Sequence, residues 1–368
     1  MRKALILGTN AGQADIITYL KENNWDVHSC GHKKEGPGCN LAHKFHLVNT
    51  IDKEAVKELA AKIEADIVYS VSSDSAIRTA TWVSEKLKLP TLLNTDIIDL
   101  FHYKERLREF LNLNNINTVK YKKINSIDQI KDWNIVPCVV KPSDSQGQRG
   151  VELIEDIEKL YKSVDIALKQ SSTNTAIIEE YLEGVEISTN MVIQNYNVIL
   201  NEFTERLVHG KEYFGLPKGH SIPIRSVSGN VIQQAKEIVV ELVEKLKIKD
   251  AVLYIQLKVT ENGPKIIEVA PRLDGCHIWR LLKHARGYDL RQYAIDCLTG
   301  KKITHKVADE DTCYTLKFHQ LQTDTLFDES KLSFPENIEF NEYRYSNNEK
   351  IQPINGKLEV VGYYITKD

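Results

Sequence analysis

Apolar residues follow two alternating patterns along the first ninety-odd positions. Residues 3–7, 26–29 and 66–71 are short runs rich in β-branched side chains and read as buried strands. Residues from 13 to about 23 and from 74 to about 87 repeat their apolar positions every three or four residues and read as helices. The stretch 89–93 closes this unit. Strands alternating with helices predict a doubly wound α/β domain, because parallel strands need a helical crossover between them. The turn Gly8-Thr9-Asn10-Ala11-Gly12-Gln13 suits an anion at a helix N-terminus, but no third glycine completes a dinucleotide fingerprint.

Beyond residue 95 the pattern changes to a mixture of helices and hairpins. It predicts helices over 96–113, 126–132, 156–169, 231–247 and 278–298, the last interrupted at Gly287. Strands are expected at 119–124, 138–140, 151–154 and 175–180, and again from about residue 186. Two hairpins follow, one over 191–205 and one pairing 251–259 with 265–269 across Glu261-Asn262-Gly263-Pro264. Residues 209–223 read as a long loop, and loops of that length are usually functional or disordered. Residues 301–368 read as short strands and loops.

The chain has 368 residues, enough for two or three domains. A net charge of −3 with interspersed signs leaves no basic face for nucleic acid, and no apolar run is long enough to cross a membrane. Six scattered cysteines without a CxxC pair suit a reducing cytoplasm. His28, Cys30, His32, Cys39, His43 and His46 crowd one region, yet their spacing fits no standard zinc pattern, so a connecting loop is the expectation there.

Candidate chemistry centres on Lys141, which ends the apolar run Cys138-Val139-Val140 and precedes Ser143, Ser145, Gly147 and Gly150. A flexible, small-residue hairpin can wrap backbone N–H groups around a phosphate chain, although the lysine precedes the glycines and so makes no Walker A loop. Such a hairpin can act as a lid over nucleotide. On the helix 96–113, Asp99, Lys104, Glu105, Arg106, Arg108 and Glu109 read mostly as a wet face. Glu179 and Glu180 stand at a strand junction with Gly184, while Gln256 and Glu268 on neighbouring strands could hold a hard cation through oxygen.

In this order the stretches resemble the ATP-grasp superfamily, closest to its carbamoyl-phosphate-synthetase-like and L-amino-acid-ligase branches. The resemblance implies a pre-ATP-grasp α/β domain over 1–95 and a two-lobed α+β ATP-grasp domain over 96–300, with a lid at about 118–182. A small C-terminal α+β segment, 301–368, would pack on that core. It further implies that Lys104 and Lys141 grip the α- and β-phosphates of ATP, under a lid of Ser145, Gln146, Gly147 and Arg149. Glu179, Glu180 and Leu182 would bind adenine, Glu186 the ribose, Glu268 magnesium, and Arg272 the γ-phosphate and acyl phosphate. The chain departs from the family at Gln256, where an acid is usual, and at Ala270, where an asparagine is usual. One of two Mg²⁺ ions would then be weakly held, unless water, phosphate or Asp274 completes its shell.

The implied activity is ADP-forming ligation of a small carboxylate and an amine through an acyl phosphate, needing ATP and Mg²⁺ and no protein nucleophile. Family members are often dimers. For the acceptor, Gly275, His277 and Arg280 after the arginine are candidates, with Tyr213, Phe214 and His220 as walls; core or loop packing is the ordinary alternative for each. A purine-biosynthetic or carboxylase-type enzyme and a nucleotide-binding protein without ligase chemistry stay open.

Overall fold

The computed structural model describes residues 1–304, 312–352 and 358–368. Its fold is mixed α/β, built on three sheets. The first is parallel, in the order β3-β2-β1-β4, with β1 Lys3–Leu7, β2 Asp26–Gly31, β3 Lys44–Leu47 and β4 Ile67–Tyr69. Helices α1 Ala11–Glu22, α2 Gly38–Leu41 and α3 Lys53–Ile63 make its crossovers, and α4 Asp74–Leu87 leads out of it. The strands read as apolar runs because Leu5, Ile6 and Leu7 are covered on both faces.

Two helices then lead into the centre, α5 Thr95–His102 and α6 Lys104–Leu113, broken at Tyr103 where one helix was expected. A small antiparallel sheet, β5-β8-β6-β7, forms the lid, from β5 Tyr121–Ile124, β6 Cys138–Pro142, β7 Glu152–Ile154 and β8 Ala176–Glu180, backed by α7 Leu160–Gln170.

The central sheet has eight strands. Its first part is β9 Val185–Gln194, β10 Asn197–Val208, β11 Pro217–Ile222, β12 Ala251–Thr260 and β13 Gly263–Ala270. The region expected as a loop therefore contains a strand: β11 pairs with β10 and with β14 Tyr314–Gln322. The C-terminal part is also more regular than its sequence suggested. Strands β14, β15 Ile338–Tyr343 and β16 Leu358–Lys367 complete the sheet in the order β11-β14-β16-β15. The expectation for 301–368 reaches 305–311 and 353–357, which lie outside the described residues.

The two faces of β9, β10 and β12 differ in a way that positions the site. One face, with Ile187, Met191, Phe203, Leu253, Ile255 and Leu257, packs on Ala235, Val239 and Leu242 of α8 Gly229–Lys245. The other carries cross-strand polar rows: Glu268–Gln256–Ser188–Thr204, and beside it Lys258–Glu186–Arg206–His220. Further along that face Val192, Leu200 and Val252 turn apolar and join the core shared with the first sheet. Helices α9 Ile278–Arg286 and α10 Leu290–Leu298 close that core, separated at Gly287 as expected.

Candidate active site

The polar rows face the lid, and a continuous cavity runs between them. At its lid end Lys141 sits at the end of β6 and donates to Glu179 Oε2 on the neighbouring strand at 2.5 Å. Glu179 is buried and also accepts from Arg108 Nε at 2.5 Å, while Arg108 reaches on to the Ile266 and Ile267 carbonyls of β13. Burial alone would raise the Glu179 carboxyl, but Arg108 and then Lys141 outweigh it and hold the group down to about 2. Glu179 is thus a charged anchor for Lys141, tying the lid to the central sheet through α6.

Arg108 and Glu105 are buried rather than on a wet face; Glu105 accepts from Ser143 Oγ at 2.5 Å. The Lys104-to-Arg108 spacing puts both residues on one side of α6, a signal the sequence carried. Lys104 has only carbonyl partners, Ser143 O at 3.3 Å and Ser145 O at 2.6 Å. Burial pushes its ammonium down from the ordinary lysine range, and Glu268 opposes that shift most strongly. A buried ammonium without a carboxylate in contact is suited to receiving an anion.

Across the cavity stand Gln256 and Glu268, paired in register on β12 and β13. Gln256 Nε2 donates to Glu186 at 3.0 Å, which leaves its Oε1 as the acceptor beside Glu268. Lys104, Lys141, Ser145, Gln146, Gly147, Gln256 and Glu268 line one and the same cavity. A second pocket joins it through Lys141, Gln148, Val151 and Gln256 and is walled by Glu180, Tyr181, Leu182, Glu186, Phe214 and Gly215. Tyr181 and Phe214 face each other there with ring centroids 6.0 Å apart. Glu186 lies in this pocket with its carboxylate engaged by Arg206, Gln256 and Lys258, so any hydroxyl it accepts must share it with three donors. Glu180 accepts from the Lys120 N–H at 2.8 Å.

At the other end Arg272 Nε donates to Asp74 Oδ1 at 2.5 Å, and the Asp74 N–H donates to Gln146 Oε1 of the lid at 2.8 Å. Burial opposes the charge on Asp74, yet Arg272 outweighs it and keeps the carboxyl low. Asp74 opens α4, so the first sheet's domain supplies a wall of the site. Ser72 stitches the same turn to the loop after β13, its Oγ donating to the Asp274 carbonyl at 2.7 Å. Asp74, Lys104, Ser145 and Glu268 line a cavity at this junction that shares Lys104, Ser145 and Glu268 with the one bordered by Lys141, and Arg272 reaches it through its contact with Asp74.

Other candidates lie elsewhere. His277 stacks on Tyr363 with centroids 4.5 Å apart and contacts Arg344 at 3.0 Å, while Arg280 pairs with Asp15 of α1 and with Glu342 of β15. Their polar groups tie the first and last parts of the chain to α9. Gly275 is exposed, with nothing within 4 Å of the position a Cβ would take. His220 is buried on the polar face near Thr204, pushed well below its ordinary range by burial and Arg206. Tyr213 packs on His209 at 5.5 Å, outside the pocket that Phe214 walls. Arg149 is exposed, donates to the Gln146 carbonyl at 3.1 Å, and lines an outer cleft instead of the phosphate-sized cavity. Among the described residues, those of the His/Cys region included, no group of three His, Cys, Asp or Glu side chains is placed to hold an ion. His28 and His46 stack there at 5.1 Å, and burial pushes the Cys30 thiol up to about 12.

Residues 103–275 match the family described as the phosphoribosylglycinamide synthetase ATP-grasp (A) domain. This part of the chain is an ATP-grasp domain. The chain is homologous to the carbamoyl phosphate synthase large chain of Clostridium perfringens, with 28% identity over 233 residues that cover 61% of this chain. The chain spans about a fifth of the length of that relative, the matched part being 20% of it. In fold it is similar to the L-amino acid ligase of Bacillus licheniformis, with a TM-score of 0.86 at 16% identity, covering 100% of this chain and 93% of that one. It is also similar to the biotin carboxylase domain dimer of Hydrogenobacter thermophilus 2-oxoglutarate carboxylase, solved with MgADP, ADP and bicarbonate, at a TM-score of 0.80 and 14% identity over 100% and 86% of the two chains. At these identities the solved structures speak for the fold alone. Among the described residues no helix is long and apolar enough to cross a membrane.

Proposed function

We propose that this protein is an ADP-forming ATP-grasp ligase that joins a small carboxylate to an amine through an acyl phosphate. The observation that carries the reading is one cavity bounded by the Lys104 and Lys141 ammonium groups on one side and by the Glu268 and Gln256 oxygens on the other. Two cations opposite a hard-oxygen pair suit a triphosphate with a divalent ion between. Glu268 and Gln256 would hold Mg²⁺, with phosphate oxygens and water filling the rest of its shell. Bound there, the ion supplies charge neutralisation at the transferring phosphoryl group.

The chain's own residues do the rest by position and charge. Lys104, half-buried and partly desolvated, has less water to lose in meeting a phosphate. Lys141 exchanges Glu179 for phosphate, and Arg108 keeps Glu179 compensated when it does. The pocket walled by Tyr181, Leu182 and Phe214 offers apolar surface for adenine, with backbone groups of residues 180–182 at its edge. Arg272, held by Asp74, faces the end where the γ-phosphate and the acyl phosphate would lie. The relative's name, carbamoyl phosphate synthase, and the MgADP complex of a fold neighbour support nucleotide and magnesium as ligands. Domains at 1–95, 96–300 and 301–368, a cytoplasmic location and a homodimer belong to the same proposal.

The test is a phosphate-release screen with Mg²⁺-ATP over pooled amino acids, hydroxy acids and sugar acids. Release that requires a substrate pair and vanishes in Lys141→Ala supports the ligase. ATP binding with silence in every pool would overturn it in favour of a protein that binds nucleotide without turnover.

A further inference from the structure

Outside the cavity described above lies a cleft of about 650 Å³ between the first sheet's helices and the lid, bordered by Lys53, Ser75, Arg78, His102, Ser145 and Arg149. That volume suits a small metabolite. Ser145 and His102 also line the cavity that holds Lys104, Glu268 and Asp74, so the cleft opens onto the place where phosphoryl transfer would occur.

The charges of its walls are unevenly satisfied. Arg78 is neutralised by Asp99 through both Nε and Nη2, the latter at 3.1 Å, and is pinned 5.2 Å above the Tyr103 ring. The Asp144 carboxylate accepts through Oδ2 from the N–H of Ser172 at 3.0 Å and from the Ser172 hydroxyl, while its Oδ1 has no hydrogen-bond partner among the described residues. Lys53 and Arg149 have no carboxylate within ion-pair distance among the described residues. Lys53 is half-buried, 5.6 Å from the Trp82 ring centroid, and burial and then Arg78 push its ammonium below the ordinary lysine range. Asp99 opposes that shift, but it is engaged by Arg78, and a partly desolvated ammonium that faces open space with no carboxylate in contact is suited to an anion.

We propose that this cleft is a substrate site for a small molecule bearing an anionic group besides the one that reacts, with Lys53 and Arg149 as the ligands of that second anion. A phosphate and a second carboxylate share the chemistry that these two cations recognise. The proposal rests on the ligase reading for which end of the molecule reacts, whereas the anion site stands without it. Lys53, contributed by α3, is then a specificity-determining residue, and the first sheet's domain selects the substrate.

Trp82 reports on Lys53, so binding is followed by tryptophan fluorescence of the full chain without nucleotide. Inorganic phosphate and succinate are titrated separately, with chloride at matched ionic strength as the blank. The expected result is saturable binding of phosphate or of succinate, weakened about tenfold or more in Lys53→Gln. Lys57→Gln is the control: Lys57 lies 5.8 Å from the same ring but pairs with Glu54 and does not border the cleft. Tighter phosphate names a phosphorylated substrate, and tighter succinate names a polycarboxylate. No saturation by either anion, or equal weakening in both variants, overturns the proposal. ADP binding is measured on the same samples and stays within about twofold in Lys53→Gln, because Lys53 borders neither nucleotide cavity. Anion binding without phosphate release in the screen would sink the ligase reading alone; phosphate release without anion binding would sink this one alone.

Discussion

Glu179, in the wall of the site, and Asp274, in the loop after β13, are both buried carboxylates, and their surroundings drive them in opposite directions. Burial raises each. At Glu179, on the lid side, Arg108 and Lys141 both reach the carboxylate and hold it down to about 2. At Asp274, two residues beyond Arg272, the direct donors to Oδ1 are the backbone N–H groups of Cys276 and Ile278, at 2.6 and 3.1 Å, and Oδ2 has no partner. Burial wins there, and the carboxyl is pushed up to about 6. Two cations in contact overcome desolvation; two amide dipoles do not. The lid side is fixed as charge, while the loop side is poised to change charge near neutrality.

The largest effect expected is from Arg108→Ala, which leaves Glu179 with one cation instead of two. Breaking a buried pair this way costs about 3–5 kcal/mol of stability, to be read from urea unfolding, and an unchanged midpoint would dissolve the contrast. Next comes Glu268→Gln, which removes the carboxylate proposed to hold the metal. Turnover should fall by about 10²–10³ with ADP affinity nearly kept; an active variant would take Glu268 out of the metal site.

The pH dependence of stability sharpens the contrast. Between about pH 4 and 6 folded Asp274 holds a proton that its unfolded form has released, so its contribution falls as pH rises through that window. Asp274→Asn, which keeps an oxygen for the two N–H groups, should flatten that slope and stabilise the protein at pH 7 by on the order of 1–3 kcal/mol. Glu179 behaves oppositely, its contribution being present above about 4.5 and lost as pH falls toward 2. Parallel pH curves for wild type and Asp274→Asn would contradict the assignment. Smallest of all is Lys169→Ala, whose exposed partner is Asp165; its unfolding midpoint should move by less than the equivalent of about 0.5 kcal/mol.

What was legible in the sequence was local. The β-branched run before Lys141, the Asn262-Gly263 turn between β12 and β13, and the glycine break at 287 are each written in a few neighbouring residues. Strand β11 was not, because Pro217-Lys218-Gly219-His220 has no alternation of apolar residues. Its glycine answers a neighbour almost a hundred positions away: a Cβ at Gly219 would lie 2.1 Å from the Leu316 carbonyl. The site divides the same way. Lys141 stood out at the end of its apolar run, whereas Lys104 read as a wet-face lysine and was singled out only by the resemblance to ATP-grasp proteins; the pairing of Arg272 with Asp74, 198 residues apart, has no local trace. Arg280 and His277 were drawn toward substrate by proximity in sequence, whereas α1, β15 and β16 engage them in space.

The central claim is that a triphosphate lies between Lys104 and Lys141 on one side and Glu268 with Gln256 on the other. A crystal structure with Mg²⁺ and a non-hydrolysable ATP analogue tests it most directly. The expected result is adenine in the pocket walled by Tyr181, Leu182 and Phe214, with Lys141 moved from Glu179 to a phosphate oxygen and the metal on Glu268. Nucleotide bound elsewhere, with Lys141 still on Glu179, would contradict the account.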